Sequence, residues 1–472
     1  MARERCALCW SVLIMLLGTS AGARAQELPV ADPTPAPAPA PAWTVVPRVS
    51  LTEAYTDNLN LTATDRQSEN ITEISPGIHI TSNMRRLKGY FDYALRAIAY
   101  AQSGRTAAYQ NALDTVGSFE AVDQLLFVDF SGAIGQQTIN AFGTQSDVGT
   151  YSTTNKAEVS NYRISPYLKG RMGDMGNYLV RVTRVVTESD SAAAPGTATS
   201  QGSINVDGYT PWRNLGWLVE VSRTGVDYSA GRYTEADVSE VGLSYAVTPL
   251  LSVFAKAGVE SNNYTSADKQ SYATNDVGLK WDPTEHTHVL ASQGHRSFGD
   301  AHSVSIEQIT ALVVFRLSDS RDVSTVPTTI PSAVGGFVQS ALSVQRMQTM
   351  ELILRGIRDT VTFVVSQTES SRVDTLSTAP DDLARATVRQ TGGNVSYVHR
   401  LTPDVNVSLV AAVQKTWGAA NLPDSWLRNV GLSVSGKLTR RSTLTVGLRH
   451  ASYTGTAPYD ENAASVNWIV EF

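Results

Sequence analysis

Cysteine is nearly missing from this chain. Its 472 residues hold two, Cys6 and Cys9, both within the first ten positions. Downstream of them a disulfide framework, a zinc–thiolate site and a cysteine nucleophile are all excluded. Long apolar runs are just as scarce. Residues 7–17 (ALCWSVLIMLL) form one short run, and no later stretch of 18 apolar residues exists, so no later segment reads as a transmembrane helix. Charge of one sign is not concentrated anywhere. The formal net charge of −6 is spread along the chain without a basic, phosphate-binding stripe, which argues against nucleic acid as a partner.

What stands at the N-terminus reads as a secretory leader over residues 1–25. Arg3 and Arg5 make a positive start, residues 7–17 an apolar middle, and Ala23-Arg24-Ala25 a small-residue cleavage site, so the mature chain is expected to begin at Gln26. The leader carries Arg3, Arg5 and Arg24 against Glu4, a net +2, which leaves about −8 for the remainder. Residues 26–42, with Pro37, Pro39 and Pro41 alternating with alanine, suit an extended polyproline spacer, expected in the periplasm.

From Trp43 to Phe472 the apolar period is two. Phe91, Tyr93, Leu95 and Ala97 alternate with Asp92 and Arg96. Val253, Ala255, Ala257 and Val259 alternate with Lys256, Gly258 and Glu260; Val277, Leu279 and Trp281 alternate with Asp276 and Lys280. Successive strand side chains point to opposite faces, so each segment has one apolar face and one polar or charged face. A soluble sandwich would alternate as well. The segments are, however, long for soluble strands, their turns alternate between tight and long, and aromatics (Trp212, Trp217, Tyr245, Trp281, Trp468, Phe472) gather beside the tight ones. These features predict an all-β, transmembrane, antiparallel up-and-down barrel over residues 43–472, with both termini periplasmic. About twenty strands are expected, including one at 302–317. Residues 318–358 read as an irregular insert, either a plug or a periplasmic segment, or as a source of two further strands that would make twenty-two.

In such a barrel the polar face would line the lumen. That assigns Asp92, Arg96, Asp129, Lys169, Arg181, Glu220, Glu240, Lys256, Glu260, Asp276 and Lys280 to a hydrated interior, since each would be costly toward lipid. At the C-terminus Val466, Trp468, Val470 and Phe472 occupy alternate positions and end on an aromatic. This is the pattern expected of a last strand read by the β-barrel assembly machinery through strand addition. Catalytic signals are weak. His286 and His288 share a face without a carboxylate cluster; His295 and His302 flank a loop near Ser297, Ser303 and Ser305; Asn58, Asn60, Asp65 and Glu69 offer oxygens at no calcium-loop spacing. No cofactor and no metal are expected, and an outer-membrane hydrolase is the weakest alternative.

Several short segments resemble the outer-membrane proteins associated with exosortase (PEP-CTERM) and exopolysaccharide loci. They are VSLTEAYTDNLNL at 49–61, ITEISPGIHI at 71–80, GAIGQQ at 132–137, RSFG at 296–299, and Leu-Thr-Pro turns such as Leu401-Thr402-Pro403. The resemblance implies a transport or scaffold role in exopolysaccharide export or surface attachment, with outer-membrane lipid, exopolysaccharide and export components as partners. It supplies no catalytic residues. A general diffusion porin is the alternative that the residues themselves leave open.

Overall fold

The computed structural model describes residues 42–146, 155–191, 196–212, 214–229, 231–324, 328–330, 337–339, 342–373, 387–418 and 422–472. The expected leader and, but for Ala42, the Pro/Ala-rich spacer lie outside them. Every regular element among the described residues is a β-strand: β1 (Trp43–Thr56), β2 (Glu69–Asn83), β3 (Leu87–Tyr100), β4 (Ala108–Val122), β5 (Leu126–Thr138), β6 (Lys156–Arg171), β7 (Asn177–Ser189) and β8 (Thr197–Tyr209). Then come β9 (Leu215–Tyr228), β10 (Tyr233–Thr248), β11 (Leu251–Asn262), β12 (Gln270–Thr284), β13 (Thr287–Arg296), β14 (Gly299–Ile309), β15 (Val313–Ser324), and a short pair, β16 (Thr328–Ile330) and β17 (Phe337–Gln339). The chain continues through β18 (Ser343–Arg355), β19 (Asp359–Arg372), β20 (Val388–Thr402), β21 (Val405–Thr416), β22 (Ser425–Thr439), β23 (Ser442–Thr454) and β24 (Tyr459–Glu471).

Leaving β16 and β17 aside, each strand pairs antiparallel with its neighbours in sequence; β15 pairs directly with β18, and β24 returns to β1 with Arg48 opposite Glu471 and Thr56 opposite Ala463. The result is a closed antiparallel barrel of 22 strands. Closure gives every strand a partner on both sides, the one arrangement by which strands can satisfy their backbone groups in lipid.

The count exceeds twenty for an identifiable reason. The strand expected at 302–317 is two strands, β14 and β15, joined by a turn at 310–312. About half of the irregular insert expected at 318–358 is wall: residues 318–324 complete β15, and residues 343–355 are β18. The described residues between those strands, 328–330, 337–339 and Leu342, lie toward the end of the barrel away from the termini, so a periplasmic position beside the termini does not apply to them.

Connections differ sharply between the two ends. At the end that holds Trp43 and Glu471 they are short, as at 84–86, 249–250, 403–404 and 440–441; at the other end they include 57–68, 139–155 and 373–387. Several short turns share one local device. Thr248, Thr284, Thr310, Thr402 and Thr439 each accept a backbone N–H two or three residues onward through their hydroxyl, at 3.0–3.3 Å. A threonine at the end of one strand, or just past it as at Thr310, thereby starts the reversal into the next.

The ladder also identifies the two faces of the wall. From the β5–β6 connection, Gln145 accepts hydrogen bonds from Gln414 Nε2 on β21 (3.0 Å) and Tyr459 OH on β24 (2.6 Å), and the Phe142 carbonyl accepts one from Thr456 (3.1 Å). The two Gln145 contacts are buried and join the connection to strands well round the ring, so they lie inside it. Following the pairing from Gln414, Tyr453 and Tyr459 assigns every strand an inner and an outer face. The outer face holds an exposed apolar band toward the short-turn end, including Val241, Leu243, Val253, Val277, Leu432, Val446 and Leu448. Trp212, Tyr245, Trp281, Trp468 and Phe472 stand exposed nearby. The apolar clusters sit inside the long-loop end. Leu59 and Leu61 pack with Ile71, Ile98, Leu427 and Tyr453, and Leu342 packs with Ala236 and Tyr264. Phe337 of β17 pairs in parallel with Thr138 at the end of β5, on the side of the ring opposite β15. That mouth is therefore crossed by inward-folded segments.

Candidate functional site

On the inner face of the wall charge, polarity and enclosure coincide. The register places Asp92, Arg96, Asp129, Lys169, Arg181, Glu220, Glu240, Lys256, Glu260, Asp276 and Lys280 all on that face. They form local pairs and small networks. Asp92 meets Arg48 and lies 3.0 Å from His79 Nδ1, while Arg96 approaches Glu73 at 3.8 Å. Arg181 Nη1 donates to Asp129 (3.0 Å) and to the buried Ser165 (3.0 Å), and its guanidinium lies 4.1 Å from the Tyr167 ring centre. Lys169 sits 4.3 Å over Phe127, which stacks on Tyr167 at 5.2 Å. Lys256 reaches Glu220 at 3.3 Å and faces Asp276 in the register; Glu240 accepts from Thr274 at 3.1 Å. Lys280 is 3.6 Å from Asp282, which also meets His288 at 2.8 Å.

Three further inner-face networks involve residues the sequence did not single out for this role. Arg296 joins Glu260 (3.2 Å) to Asp322 (3.0 Å); Arg316 bridges Glu307 and Glu351, both at 2.8 Å; Arg449 meets the buried Glu461 at 2.6 Å, and Thr56 donates to that same carboxylate at 2.9 Å. Parity alone would have found Arg449, which alternates with Val446 and Leu448. Arg316 and Glu351 were hidden because β15 and β18 were not distinguished. Removing one partner of such a pair leaves a charge with little water to solvate it, at a cost of about 3–5 kcal/mol where burial is complete.

The candidates for other chemistry are dispersed. His295 and His302 face outward, toward Asp300 (3.3 Å) and Asp319 (3.0 Å), whereas Ser303 and Ser305 face inward, and Ser297 Oγ donates to Glu260 at 2.7 Å. No serine of that set pairs with a histidine. His286 lies in a turn, and His288 is held by Asp282. Asn58 spends its side chain on Thr62 and the Asp460 carbonyl, and Asn60 donates to Gln67. Glu69 is fully buried and receives backbone N–H groups from Asn70, Gln102 and Ser103 at 2.7–2.9 Å, so it anchors a loop. Among the described residues no group of three or more His, Cys, Asp or Glu is placed to hold a metal ion.

Outside the described strands, burial pushes the Tyr264 phenol well above its usual range, in keeping with its packing against Ala236 and Leu342. Hydrogen bonds to Asp237 and then Glu235 raise the Lys269 ammonium, and the Gly418 N–H followed by Lys415 lowers the Asp424 carboxyl. All three shifts tie long-loop residues to the barrel rim.

Val466, Trp468, Val470 and Phe472 share the outer face of the chain's last segment, next to the ring seam. Val466 and Trp468 line an apolar groove of about 270 Å³ with Leu51, Glu53, Leu438 and Leu444. Trp468 opposes Leu51 across the seam, and its indole N–H donates to Ser442 at 2.8 Å.

No protein-family profile matches the chain, and no curated protein matches it. Solved structures do. The FrpB iron transporter of Neisseria meningitidis (F5-1 variant, apoprotein form) aligns with a TM-score of 0.52 at 11% identity, over 90% of this chain and 81% of that one. The F3-3 variant of the same transporter aligns with a TM-score of 0.51 at 11% identity, over 90% and 81%. The ferric enterobactin receptor PfeA in complex with BCV-L6 aligns at 0.50 and 10% identity, again over 90% and 81%. At such identities the likeness is one of fold. This chain has the architecture of a large outer-membrane β-barrel.

Proposed function

We propose that the chain is an outer-membrane transport barrel whose inner wall lines a hydrated path, and that it serves as channel or scaffold in exopolysaccharide export or surface attachment. The observation that carries the transport reading is the division of one closed wall into an apolar outer band and an inner face of paired charges and hydroxyls. A barrel of this many strands is wide enough for a channel or a plug. The solved structures of similar fold are named as an iron transporter and a receptor, which supports transport in general. The polysaccharide assignment rests on the resemblance carried by residues 49–61, 71–80, 132–137, 296–299 and 401–403. Under this reading Val466, Trp468, Val470 and Phe472 are the contact for the assembly machinery, and a cleaved leader delivers the chain across the inner membrane.

One feature favours a general diffusion porin as the second reading. Phe142 and Gln145 of the β5–β6 connection are held inside the ring by Thr456, Tyr459 and Gln414, as residues of a constricting loop would be. Deleting the gene in a polymer-producing strain separates the two. Export predicts polymer trapped in the periplasm or lost from the surface; unchanged surface polymer would leave the porin reading standing alone.

A further inference from the structure

The inner wall is not uniform around the ring. From β2 to β18 it carries most of the paired charges described above. From β19 to β24 the pattern changes. Arg400, Lys437 and Glu471 stand at the short-turn rim, and Arg372 with the Arg449–Glu461 pair lies toward the other end. Between them the inward positions of all six strands are uncharged. Hydroxyls and carboxamides dominate, with Gly392, Gly431 and Gly447 interspersed.

Across the middle of this sector the groups fall into register. Ser408 opposes Ser433, Ser435 opposes Thr445, and Thr445 opposes Asn467, which opposes Thr52 of β1. Thr445 donates to Ser435 at 3.1 Å, and Asn467 donates to Ser50 and Thr52 at 2.7 Å each. The rows are half-buried, so the groups still face the lumen.

We infer that the β19–β24 sector is the contact track for an uncharged polyhydroxylated chain, a neutral polysaccharide, which slides along it by exchanging hydroxyl hydrogen bonds. A charged polymer would gain nothing from this wall, because no fixed counter-charge stands between its rims. A neutral carbohydrate needs the reverse: many donors and acceptors, closely spaced, without the tight binding that a charge-assisted hydrogen bond brings. The paired charges of the other sector hold each other and compete little for hydroxyls. The inference rests on the transport reading and adds the substrate class and the part of the wall that meets it.

The test is current through single barrels in planar bilayers with two blockers of equal length, maltohexaose and hexagalacturonate. Maltohexaose is expected to block at least tenfold more effectively than the acidic oligomer at 1 M salt. Ser408→Asp with Ser433→Asp should abolish that preference, whereas Ser203→Asp on the charged wall should preserve it. Should the aspartate pair fail to assemble, Thr445→Val with Asn467→Leu removes the same hydrogen bonds without adding charge, and should weaken maltohexaose block alone. A wild-type barrel that conducts yet shows equal or no block by the two oligomers overturns the inference and spares the transport reading. A barrel that passes no ions overturns both.

Discussion

Leu279 and Lys280 are adjacent in sequence, yet the pleat sends them to opposite faces of β12. Leu279 opposes Val253 and Ala291 on the outer face, within the apolar band; Lys280 lies inside, near Asp282. Leu279→Arg is expected to cost roughly 2–4 kcal/mol if the residue sits near the bilayer midplane, and to lower the yield of assembled barrel. Lys280→Glu should assemble normally and shift ion preference toward cations, because it adds a negative charge beside Asp282. Folded yield on unboiled gels and reversal potential in a salt gradient read the two effects separately. Equal behaviour of the pair would mean that the assigned register is wrong. This division was legible from sequence because alternation is a local property: Asp276, Gly278 and Lys280 interleave with Val277, Leu279 and Trp281 without reference to anything distant. The pairing of those charges was not legible, since Arg181 meets Asp129, and Arg296 meets Asp322, only through the register of separate strands.

The element most sensitive to truncation is β24, which completes the ring against β1 through partners from Arg48–Glu471 to Thr56–Ala463. Removing residues 468–472 takes away the partners of Arg48, Val49, Ser50 and Leu51 and exposes their edge. Heat-modifiable protein in the outer membrane should fall sharply, and Phe472→Ser should fall partway. Wild-type levels in the truncated form would show that neither closure at this seam nor a terminal recognition signal governs assembly. The elements that sequence reading left unresolved are β15, merged there with β14, and β18, left open as a further strand, and the cause is physical. Their upper outward positions carry Asp319 and Arg321 on β15 and Arg346 and Gln348 on β18, so both faces are polar there and period-two contrast disappears. Asp319 accepts hydrogen bonds from Arg346 (2.8 Å) and Gln348 (2.9 Å), and His302 lies 3.0 Å away, a cluster beyond the apolar band. The turn before β15 was also silent, because Thr310 makes the reversal with its hydroxyl and residues 310–312 contain no Gly, Pro, Asn or Asp.

At the scale of the whole molecule, three properties have to hold together: the ring closes, its outer band is apolar, and its inner wall is wetted. The near-absence of cysteine makes this directly measurable. With Cys6 and Cys9 replaced, single cysteines at 276, 277, 279 and 280 can be reacted in intact outer membranes with a membrane-impermeant maleimide; Gly278 is left in place because a side chain there would meet Phe254 and the Ala291 carbonyl. A period of two is expected along β12: positions 276 and 280 labelled from water, and 277 and 279 protected by lipid. Uniform labelling, or protection of the even positions with reaction at the odd ones, would contradict it.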